Sequence, residues 1–577
     1  MYTFRDLRLA LRKDQTNLTS IKAALVGDTA TQFLAIALKG MAIERGFKLE
    51  LFEADYSQVE MQMLDPQSEL HSFHPKYIFV FQSSQKLLES YWRMERSEQE
   101  TLAEKRISEV QQFCKNTDAN VIYLNYPLID DNIFGSYSSK VSFSFSFQLR
   151  TLNYRLMENS ILIRNLFIVD IDGIQQKYGR DWLFDSSVYT NTEMVLSINA
   201  QPYVASRCMD VVLSLEGKFR KCLILDLDNT LWGGIVGDDG WENIQIGHGL
   251  GIGKCFTNLQ LWIKQLEKRG VIICICSKND EEIAKEPFIK HPEMILRLDD
   301  IAVFIANWDN KVDNIKRIQK TLNIGFDSMV FVDDNPFERN IVRENIPELT
   351  VPELPDDPSN YFEYLTSLNL FETASFSDAD SKRNEQYRIE AQRVVFSQSF
   401  TDEKNYLRHL NMVSEVECLT KYNIPRVAQL SQRSNQFNLR TIRYSEMELH
   451  QISNDKSYIG LAFSLKDKFG DNGIVSVVVL HKETPESYFI ESFFMSCRVL
   501  KRGMENFIIN VLVEQVKRAG GDYLIGEYIP TAKNGMVENL FEELGFNKLA
   551  DQNRRLYRLD VKTYINKETF INRYLNG

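Results

Sequence analysis

The sequence has no long apolar run, no clustered cysteines and no excess of basic charge. In its 577 residues, no stretch approaches 18 uncharged apolar residues, so we expect neither a transmembrane helix nor a membrane partner. Residues 1–15 hold three arginines and one lysine without an apolar segment, which argues against a secretory signal. The net charge is −12, and no local basic patch offers a nucleic-acid surface.

The eight cysteines are scattered and form neither a CxxC pair nor a Cys/His cluster of zinc spacing. They predict no disulfide framework, and with no signal segment they indicate a reducing cytoplasm. Hydrophobic residues are 44% and charged residues 25%, near globular averages, which excludes a disordered or collagenous protein. A chain of this length should hold about three or four domains.

Two regions alternate short apolar strands with helix-like stretches, which predicts α/β domains with parallel sheets. In residues 1–215 the predicted strands are Ala23–Val26, Tyr77–Phe81, Val121–Leu124 and Leu166–Val169, with a helix from Gln32. In residues 218–355 they are Lys221–Leu225, Val271–Cys276 and Met329–Val332.

Residues 375–577 have an α+β pattern. The charged start, Ser375–Arg393, predicts a solvated helix. Predicted strands are Ile474–Leu480, Tyr488–Phe494 and Tyr523–Ile525, and predicted helices are Glu505–Arg518 and Met536–Leu544. We therefore expect three domains.

The strongest chemical signal is a pair of carboxylates directly after the first strand of the second region. Asp226 and Asp228 lie two residues apart in Leu225-Asp226-Leu227-Asp228-Asn229-Thr230. Burying two carboxylates together is costly unless a cation or a proton compensates. Mg²⁺ is the natural compensator, because it prefers oxygen ligands.

Three further motifs follow in order. Ser277 ends the second strand and precedes Lys278, Lys311 follows Asn307-Trp308-Asp309-Asn310, and Asp333-Asp334 follow the third strand. Each piece alone is also typical of turns and helix caps. Together they supply a nucleophilic carboxylate, a hydroxyl and a cation for phosphate oxygens, and acidic metal ligands. Phosphoryl transfer through an aspartyl phosphate needs that set.

This ordered set resembles the haloacid dehalogenase (HAD) superfamily, and within it the FkbH-like group of subfamily IIIC. The resemblance implies a Rossmann-like core in which Asp226 is the nucleophile and Asp228 the general acid/base. The groups implied to bind phosphate are Ser277, Lys278, Lys311 and Asn229. Those implied to hold Mg²⁺ are Asp226, the backbone carbonyl of Asp228, and Asp333, with Asp334 supporting the site.

The spacing of these motifs leaves no room for a large inserted cap. We therefore expect an open site that either accepts a bulky substrate or is covered by another domain or subunit.

The FkbH-like resemblance extends to Arg433-Ser434-Asn435-Gln436-Phe437-Asn438 and to Ser496-Cys497-Arg498-Val499-Leu500. Some members of that group load a glyceryl unit from a bisphosphoglycerate onto a carrier-protein thiol, which needs an enzyme thiol. The candidates are Cys255, Cys274, Cys276 and Cys497. Cys274 and Cys276 alternate within a buried strand, and we expect both to be inert core thiols.

The C-terminal region resembles a GNAT acetyltransferase-like fold in the stretch Arg498-Val499-Leu500-Lys501-Arg502-Gly503-Met504, which opens a helix. In working acetyltransferases a Gly-rich turn presents backbone amides to the CoA pyrophosphate. The resemblance implies CoA or phosphopantetheine near Arg498, Arg502 and Gly503, but Lys501 stands where the first glycine is expected. A packing and recognition domain is the favoured alternative.

The N-terminal region resembles an SGNH-hydrolase-like α/β domain, with Gly27-Asp28-Thr29 where Gly-Asp-Ser would carry the nucleophile. Thr29 replaces that serine, and no Asp-x-x-His lies near Asp185. We therefore expect a structural, oligomerising or substrate-covering role, including homo-oligomer formation, and not esterase activity.

The leading hypothesis is a cytoplasmic, Mg²⁺-dependent HAD phosphohydrolase or phosphotransferase acting through an aspartyl phosphate. Its substrate would be a phosphorylated or carrier-linked biosynthetic intermediate. The first alternative is a glyceryl transferase from bisphosphoglycerate to an acyl carrier protein. The second is a non-enzymatic scaffold with a relic site.

Overall fold

The chain divides into two compact units, Met1–Ser214 and Leu215–Gly577. The computed structural model describes residues 2–249, 251–376, 383–397, 400–496, 499–531, 533–550 and 554–574. Among these residues, no helix combines the length and the apolar character that crossing a bilayer requires. The division into three domains stays a prediction.

The first unit is built on a five-stranded parallel sheet of order β2-β1-β3-β4-β5. Its strands are β1 Thr19–Gly27, β2 Phe47–Glu53, β3 Tyr77–Phe81, β4 Asn120–Leu124 and β5 Leu166–Val169. Its helices are α1 Phe4–Ala10, α2 Gln32–Glu44, α3 Val59–Leu64, α4 Glu69–Ser72, α5 Ser84–Tyr91, α6 Arg96–Glu100, α7 Leu102–Asn116, α8 Phe145–Leu162, α9 Ile171–Tyr178, α10 Arg180–Leu183, α11 Ser186–Thr192 and α12 Ala200–Leu215.

The four strands predicted in this unit are confirmed. Sequence reasoning misses β2, because this edge strand begins with alternating buried and exposed residues and lacks a continuous apolar run.

The second unit begins with a four-stranded parallel sheet of order β8-β7-β6-β9. Its strands are β6 Cys222–Leu225, β7 Ile272–Ser277, β8 Val303–Ala306 and β9 Met329–Val332. The helices around it are α13 Val236–Asp239, α14 Ile252–Lys268, α15 Glu281–Lys290, α16 Lys311–Leu322, α17 Pro336–Asn345, α18 Tyr361–Ser367 and α19 Arg383–Ser397. Leu225 pairs with Ile275 on one side and Val332 on the other, so β6 and β9 end at the same level and β7 extends two residues further, to Ser277. The three strands predicted here are confirmed, whereas β8, a four-residue edge strand, is missed.

The C-terminal part of this unit is a mixed nine-stranded sheet of order β16-β17-β15-β14-β13-β12-β10-β18, with β11 paired to β12. Its strands are β10 Met412–Ser414, β11 Val416–Cys418, β12 Tyr458–Asp467, β13 Gly470–Lys482, β14 Ser487–Met495, β15 Tyr523–Tyr528, β16 Asn547–Lys548, β17 Arg555–Asp560 and β18 Ile571–Arg573. Its helices are α20 Glu403–His409, α21 Ile424–Arg433, α22 Glu446–Asn454, α23 Met504–Arg518 and α24 Leu540–Glu543. The predicted α/β class with an α+β C-terminal region is confirmed.

Two helix predictions in this region need correction. The helix predicted over Met536–Leu544 is only α24, preceded by a short 3₁₀ turn, because Asn539 leaves helical geometry. The solvated helix predicted from Ser375 is α19, and residues 377–382 lie outside the described part. It is not solvated on all sides: Asn384 and Arg393 are at most 1% exposed.

Asn384 and Arg393 anchor helix α19 through side-chain hydrogen bonds. The side chain of Asn384 accepts a hydrogen bond from the Ile273 amide of β7 and donates one to the Asp300 carbonyl. The Arg393 guanidinium pairs with Asp467 of β12, with N···O 2.9 Å. The helix thus ties the four-stranded sheet to the C-terminal sheet.

We expect Asn384→Ala to lower the free energy of unfolding of the second unit by about 1–3 kcal/mol, because two buried backbone groups lose their partner. Urea denaturation followed by tryptophan fluorescence measures this loss. Glu385→Ala, exposed on the same helix, is the matched control. Equal destabilisation by both variants would contradict the anchoring role of Asn384.

Candidate active site

The polar residues of the four predicted motifs meet at the carboxyl edge of the four-stranded sheet. Asp226 follows β6, Ser277 ends β7, and Asp333 follows β9. Lys311 starts α16, just after β8. Parallel strands present their carboxyl ends at one edge, where ligands of open α/β sheets bind. The sheet therefore gathers residues that are far apart in the chain.

Three carboxylates form the centre of this site. Asp226, Asp333 and Asp334 each offer one oxygen, and these oxygens lie within 4.8 Å of one another. Asp226 and Asp333 are buried. Burial, reinforced by the nearby Asp226 charge, raises the pKa of Asp333 to about 7 and also raises the pKa of Asp334.

These residues fit a divalent cation. Asp226 Oδ1 is buried and has no hydrogen-bond partner among the described residues. An orphaned carboxylate oxygen beside two further carboxylates is a hard-oxygen donor set of the kind that Mg²⁺ prefers. Asp334, predicted only to support the metal, contributes an oxygen to this set on equal terms.

Lys311 supplies the one cation in direct contact with these carboxylates among the described residues. Its Nζ lies 3.0 Å from Asp226 Oδ2 and 2.5 Å from Asp333 Oδ2. Burial opposes the charged form of this side chain, but the two carboxylates outweigh burial and raise the pKa of Lys311. The group is therefore a permanent ammonium at neutral pH.

The loop after β9 is held by hydrogen bonds to its backbone groups. Arg339, 3% exposed, donates to the carbonyls of Asp333 and Asp334 over 2.9 and 2.6 Å. The Asp334 amide donates to Thr230 Oγ1 over 3.1 Å. These bonds hold the two carboxylates of this loop against the loop that follows β6.

The Asp228 carboxylate is not one of the three clustered carboxylates and is held by three donors of its own. Its Oδ1 accepts from Trp232 Nε1 and the Val236 amide, both over 3.0 Å, and its Oδ2 accepts from Asn279 Nδ2 over 2.8 Å. The predicted metal contact of Asp228 through its backbone carbonyl stays a prediction. Sequence reasoning overlooked Asn279, although its place two residues after Ser277 was a usable signal.

The other predicted phosphate-binding residues differ in their surroundings. Ser277 is 2% exposed, and its Oγ accepts a long hydrogen bond of 3.4 Å from Asn279. Lys278 Nζ is paired with Glu338, with N···O 2.5 Å. Asn229 has a left-handed backbone (φ +53°), and its Oδ1 accepts the Gly234 amide. Asn229 thus shapes the turn after β6, and its phosphate contact stays a prediction.

The candidate thiols lie in different environments. Cys274 and Cys276 are fully buried, as expected of core thiols, and burial raises the pKa of Cys276. Cys255 is half-buried. Cys497 and Arg498 lie outside the described residues.

In the first unit, Asp28 accepts a hydrogen bond from the Ser83 amide, and burial raises the pKa of Asp28 to about 7. The Thr29 hydroxyl is buried and has no partner among the described residues. Without a partner that could take its proton, the Thr29 hydroxyl has no activating base among the described residues, so this geometry offers no support for esterase chemistry.

Known proteins match parts of the chain. The family described as FkbH, N-terminal domain, matches residues 22–213. The N-terminal part of the protein BF1531 from Bacteroides fragilis, a crystal structure containing a phosphatase domain complexed with Mg, is 58% identical. The match covers 65% of this chain and 100% of that one, with a TM-score of 0.64. No curated protein matches significantly.

Acetyltransferases give weaker matches. The ribosomal-protein-S18-alanine N-acetyltransferase from Escherichia coli is 15% identical over 26% of this chain and 94% of its own, with a TM-score of 0.21. An N-acetyltransferase from Staphylococcus aureus Mu50 is 13% identical over 26% and 99%, also with a TM-score of 0.21. The acetyltransferase resemblance of the C-terminal region stays a prediction.

We expect Asp333→Asn to abolish the stabilisation of the protein by Mg²⁺, because it removes one ligand and one of three repelling charges. At a Mg²⁺ concentration 100-fold above Kd, the wild type should gain about 2.7 kcal/mol. Without metal, the thermal midpoint of Asp333→Asn should equal or exceed that of the wild type.

Differential scanning fluorimetry with EDTA and with a Mg²⁺ series measures both effects. Asp356→Asn, which changes an exposed carboxylate, is the control and should respond to Mg²⁺ as the wild type does. A full Mg²⁺ response in Asp333→Asn would refute the assignment of this ligand.

Proposed function

The chain belongs to the FkbH-like family of proteins that carry a HAD-type phosphatase domain, and we propose that it is a Mg²⁺-dependent phosphohydrolase or phosphotransferase. The proposal rests on one observation above all: Asp226, Asp333, Asp334 and Lys311 converge at the carboxyl edge of one parallel sheet. The proposed substrate is a phosphorylated biosynthetic intermediate.

Asp226 is the proposed nucleophile. Its Oδ2 is paired with Lys311, and its Oδ1 has no hydrogen-bond partner among the described residues. The carboxylate would attack phosphorus through one oxygen and hold the metal through the other. Attack forms an aspartyl phosphate and breaks the bond from phosphorus to the leaving-group oxygen. Lys311 and the Ser277 hydroxyl would hold the phosphoryl oxygens. When bound by Asp226, Asp333 and Asp334, Mg²⁺ would supply the charge that offsets carboxylates and phosphate.

Asp228 is the proposed general acid and base. Its Oδ1 accepts two hydrogen bonds, whereas Oδ2 accepts only one, from the side-chain amide of Asn279. Oδ2 is therefore the atom that would give a proton to the leaving oxygen and later take one from the attacking water. Water attack then breaks the phosphorus–Asp226 bond and releases phosphate.

Asp226→Asn should lower phosphate release by at least about a thousandfold, since an amide cannot form the acyl phosphate. Asp228→Asn should lower it by about 10²–10⁴-fold, because the proton transfer is lost. Phosphate release with Mg²⁺ from a panel of sugar and acyl phosphates measures both, with Asp356→Asn as the control. An active Asp226→Asn variant would refute the aspartyl-phosphate mechanism.

Three exposed apolar side chains, two on the loops of this sheet edge and one in the first turn of α17, support a bulky leaving group. Ile235, Trp308 and Phe337 are 45%, 77% and 65% exposed and follow β6, β8 and β9. Among the described residues, the segments between these strands hold helices and turns of the core and no separate cap domain. A phosphoryl group at Asp226 would leave the rest of the substrate on the side of these loops.

Trp308→Ala should raise KM for a bulky aryl phosphate roughly tenfold and leave KM for acetyl phosphate and both kcat values unchanged, because only the larger substrate reaches the indole. Steady-state kinetics with the two substrates measures the split. Tyr422→Ala, which removes another exposed aromatic ring, is the control. Equal KM changes for both substrates would contradict this role of Trp308.

The alternative is glyceryl transfer to an acyl carrier protein, a reaction of some members of the FkbH-like group that this chain resembles. Its enzyme thiol would not be Cys274 or Cys276, which are fully buried. Intact-mass spectra separate the two reactions: a phosphoryl adduct supports the first, and a glyceryl adduct on enzyme and carrier supports the second. Neither adduct, with no phosphate release, would favour a relic site.

A further inference from the structure

The C-terminal sheet opens between two of its strands. β14 and β15 run parallel but pair only from Ser487–Ile490 to Tyr523–Gly526. Beyond this point β14 continues to Met495 and β15 to Tyr528. Strands that separate leave backbone amides and carbonyls that need other partners when they are buried.

A segment of the same chain, Phe437–Leu439, occupies this opening. The Leu439 amide donates to the Phe493 carbonyl over 3.2 Å, and the Met495 amide donates to the Phe437 carbonyl over 3.0 Å. On the other side, the Ile529 amide donates to the Leu439 carbonyl over 2.9 Å. The segment thus bridges the end of β14 and the residue that follows β15.

Side chains lock the segment in place. Phe437, Asn438 and Leu439 are all at most 2% exposed, and the Phe437 ring packs on Phe493 with centroids 5.2 Å apart. Asn534, fully buried, donates to the carbonyls of Asn438 and Ile529, each over 2.9 Å.

We infer that Phe437–Leu439, which forms a β-bridge from Asn438 to Phe494, is a permanent insertion in the C-terminal sheet, and that this domain therefore takes no CoA or phosphopantetheine arm between β14 and β15. A pantetheine arm is an extended chain whose two amides would need free backbone groups at a strand edge. Here the Phe493 carbonyl and the Met495 amide are already hydrogen-bonded to Leu439 and Phe437. The Glu491 carbonyl accepts a hydrogen bond from the Arg440 side chain.

The start of α23 is also unsuited to a pyrophosphate. Arg502, predicted to bind it, is 3% exposed and paired with Asp467 and Glu390. Lys501 has a left-handed backbone (φ +62°) where a glycine is expected, and Gly503 is the N-cap of the helix. Glu505, in the first turn, places a carboxyl group where an anion would bind, and burial raises its pKa.

The inserted segment also explains the motif Arg433–Asn438, which the phosphatase chemistry does not use. Asn435, two residues before this segment, donates to the Gly217 carbonyl over 3.0 Å. The Arg433 carbonyl accepts from Lys221 Nζ over 3.1 Å, and Lys221 directly precedes β6. The motif therefore joins the C-terminal sheet to the base of the strand that ends at Asp226.

Hydrogen exchange by mass spectrometry on the full chain, with and without millimolar CoA or pantetheine, tests the inference. Peptides containing the Leu439, Met495 and Ile529 amides should exchange as slowly as those of β13, and neither ligand should change their rates or give heat in calorimetry. Asn534→Ala should speed exchange at Leu439 and Ile529 roughly tenfold. Asn539→Ala, exposed nearby, is the control.

Rapid exchange of these amides in the wild type, slowed by CoA or pantetheine, would overturn the inference, and so would saturable CoA binding that protects them. If Asn534→Ala fails to fold, the wild-type measurements still decide between the outcomes. Neither result depends on phosphate release, so the outcome is independent of the proposed phosphatase function.

Discussion

Three carboxylates forced together at the edge of one small sheet are the constraint on which the rest of the structure depends. One buried ammonium group, Lys311, offsets only part of their charge. Mutual repulsion of this kind would spread the loops unless the backbone held them. Two features supply that restraint. The carboxyl ends of β6 and β9 are level, and Arg339 donates hydrogen bonds to two loop carbonyls.

Much of the site was predictable from sequence, because its chemistry follows strands that are themselves easy to recognise. The buried strands β6, β7 and β9 are apolar throughout, and each ends at a polar motif. Asp226, Ser277 and Asp333 were proposed in this way, whereas Lys311 follows the missed strand β8 and was proposed from the order of the motifs. That Asp228 lies outside the group of three carboxylates was not predicted, since two carboxylates two residues apart look alike in sequence.

The missed features share a physical cause: they depend on partners distant in sequence. The edge strand β8 has too few residues to show a period, and α19 looked solvated because the groups that bury Asn384 lie more than 80 residues earlier. Phe437–Leu439 carries no strand signal, and in the structure only Asn438 forms a β-bridge, to Phe494. The segment lies where β14 and β15 separate, and its hydrogen bonds come from the sheet on either side.

The orientation of the Asp228 carboxylate depends on the segment that follows β6. Two of its three donors, Trp232 and Val236, belong to that segment, and the third comes from the loop after β7. If the segment swung outward to admit a substrate, the carboxylate would lose its orientation at the same moment. In the proposed mechanism, substrate entry and proton transfer would therefore be linked, because opening this segment would also remove two of the donors that orient Asp228.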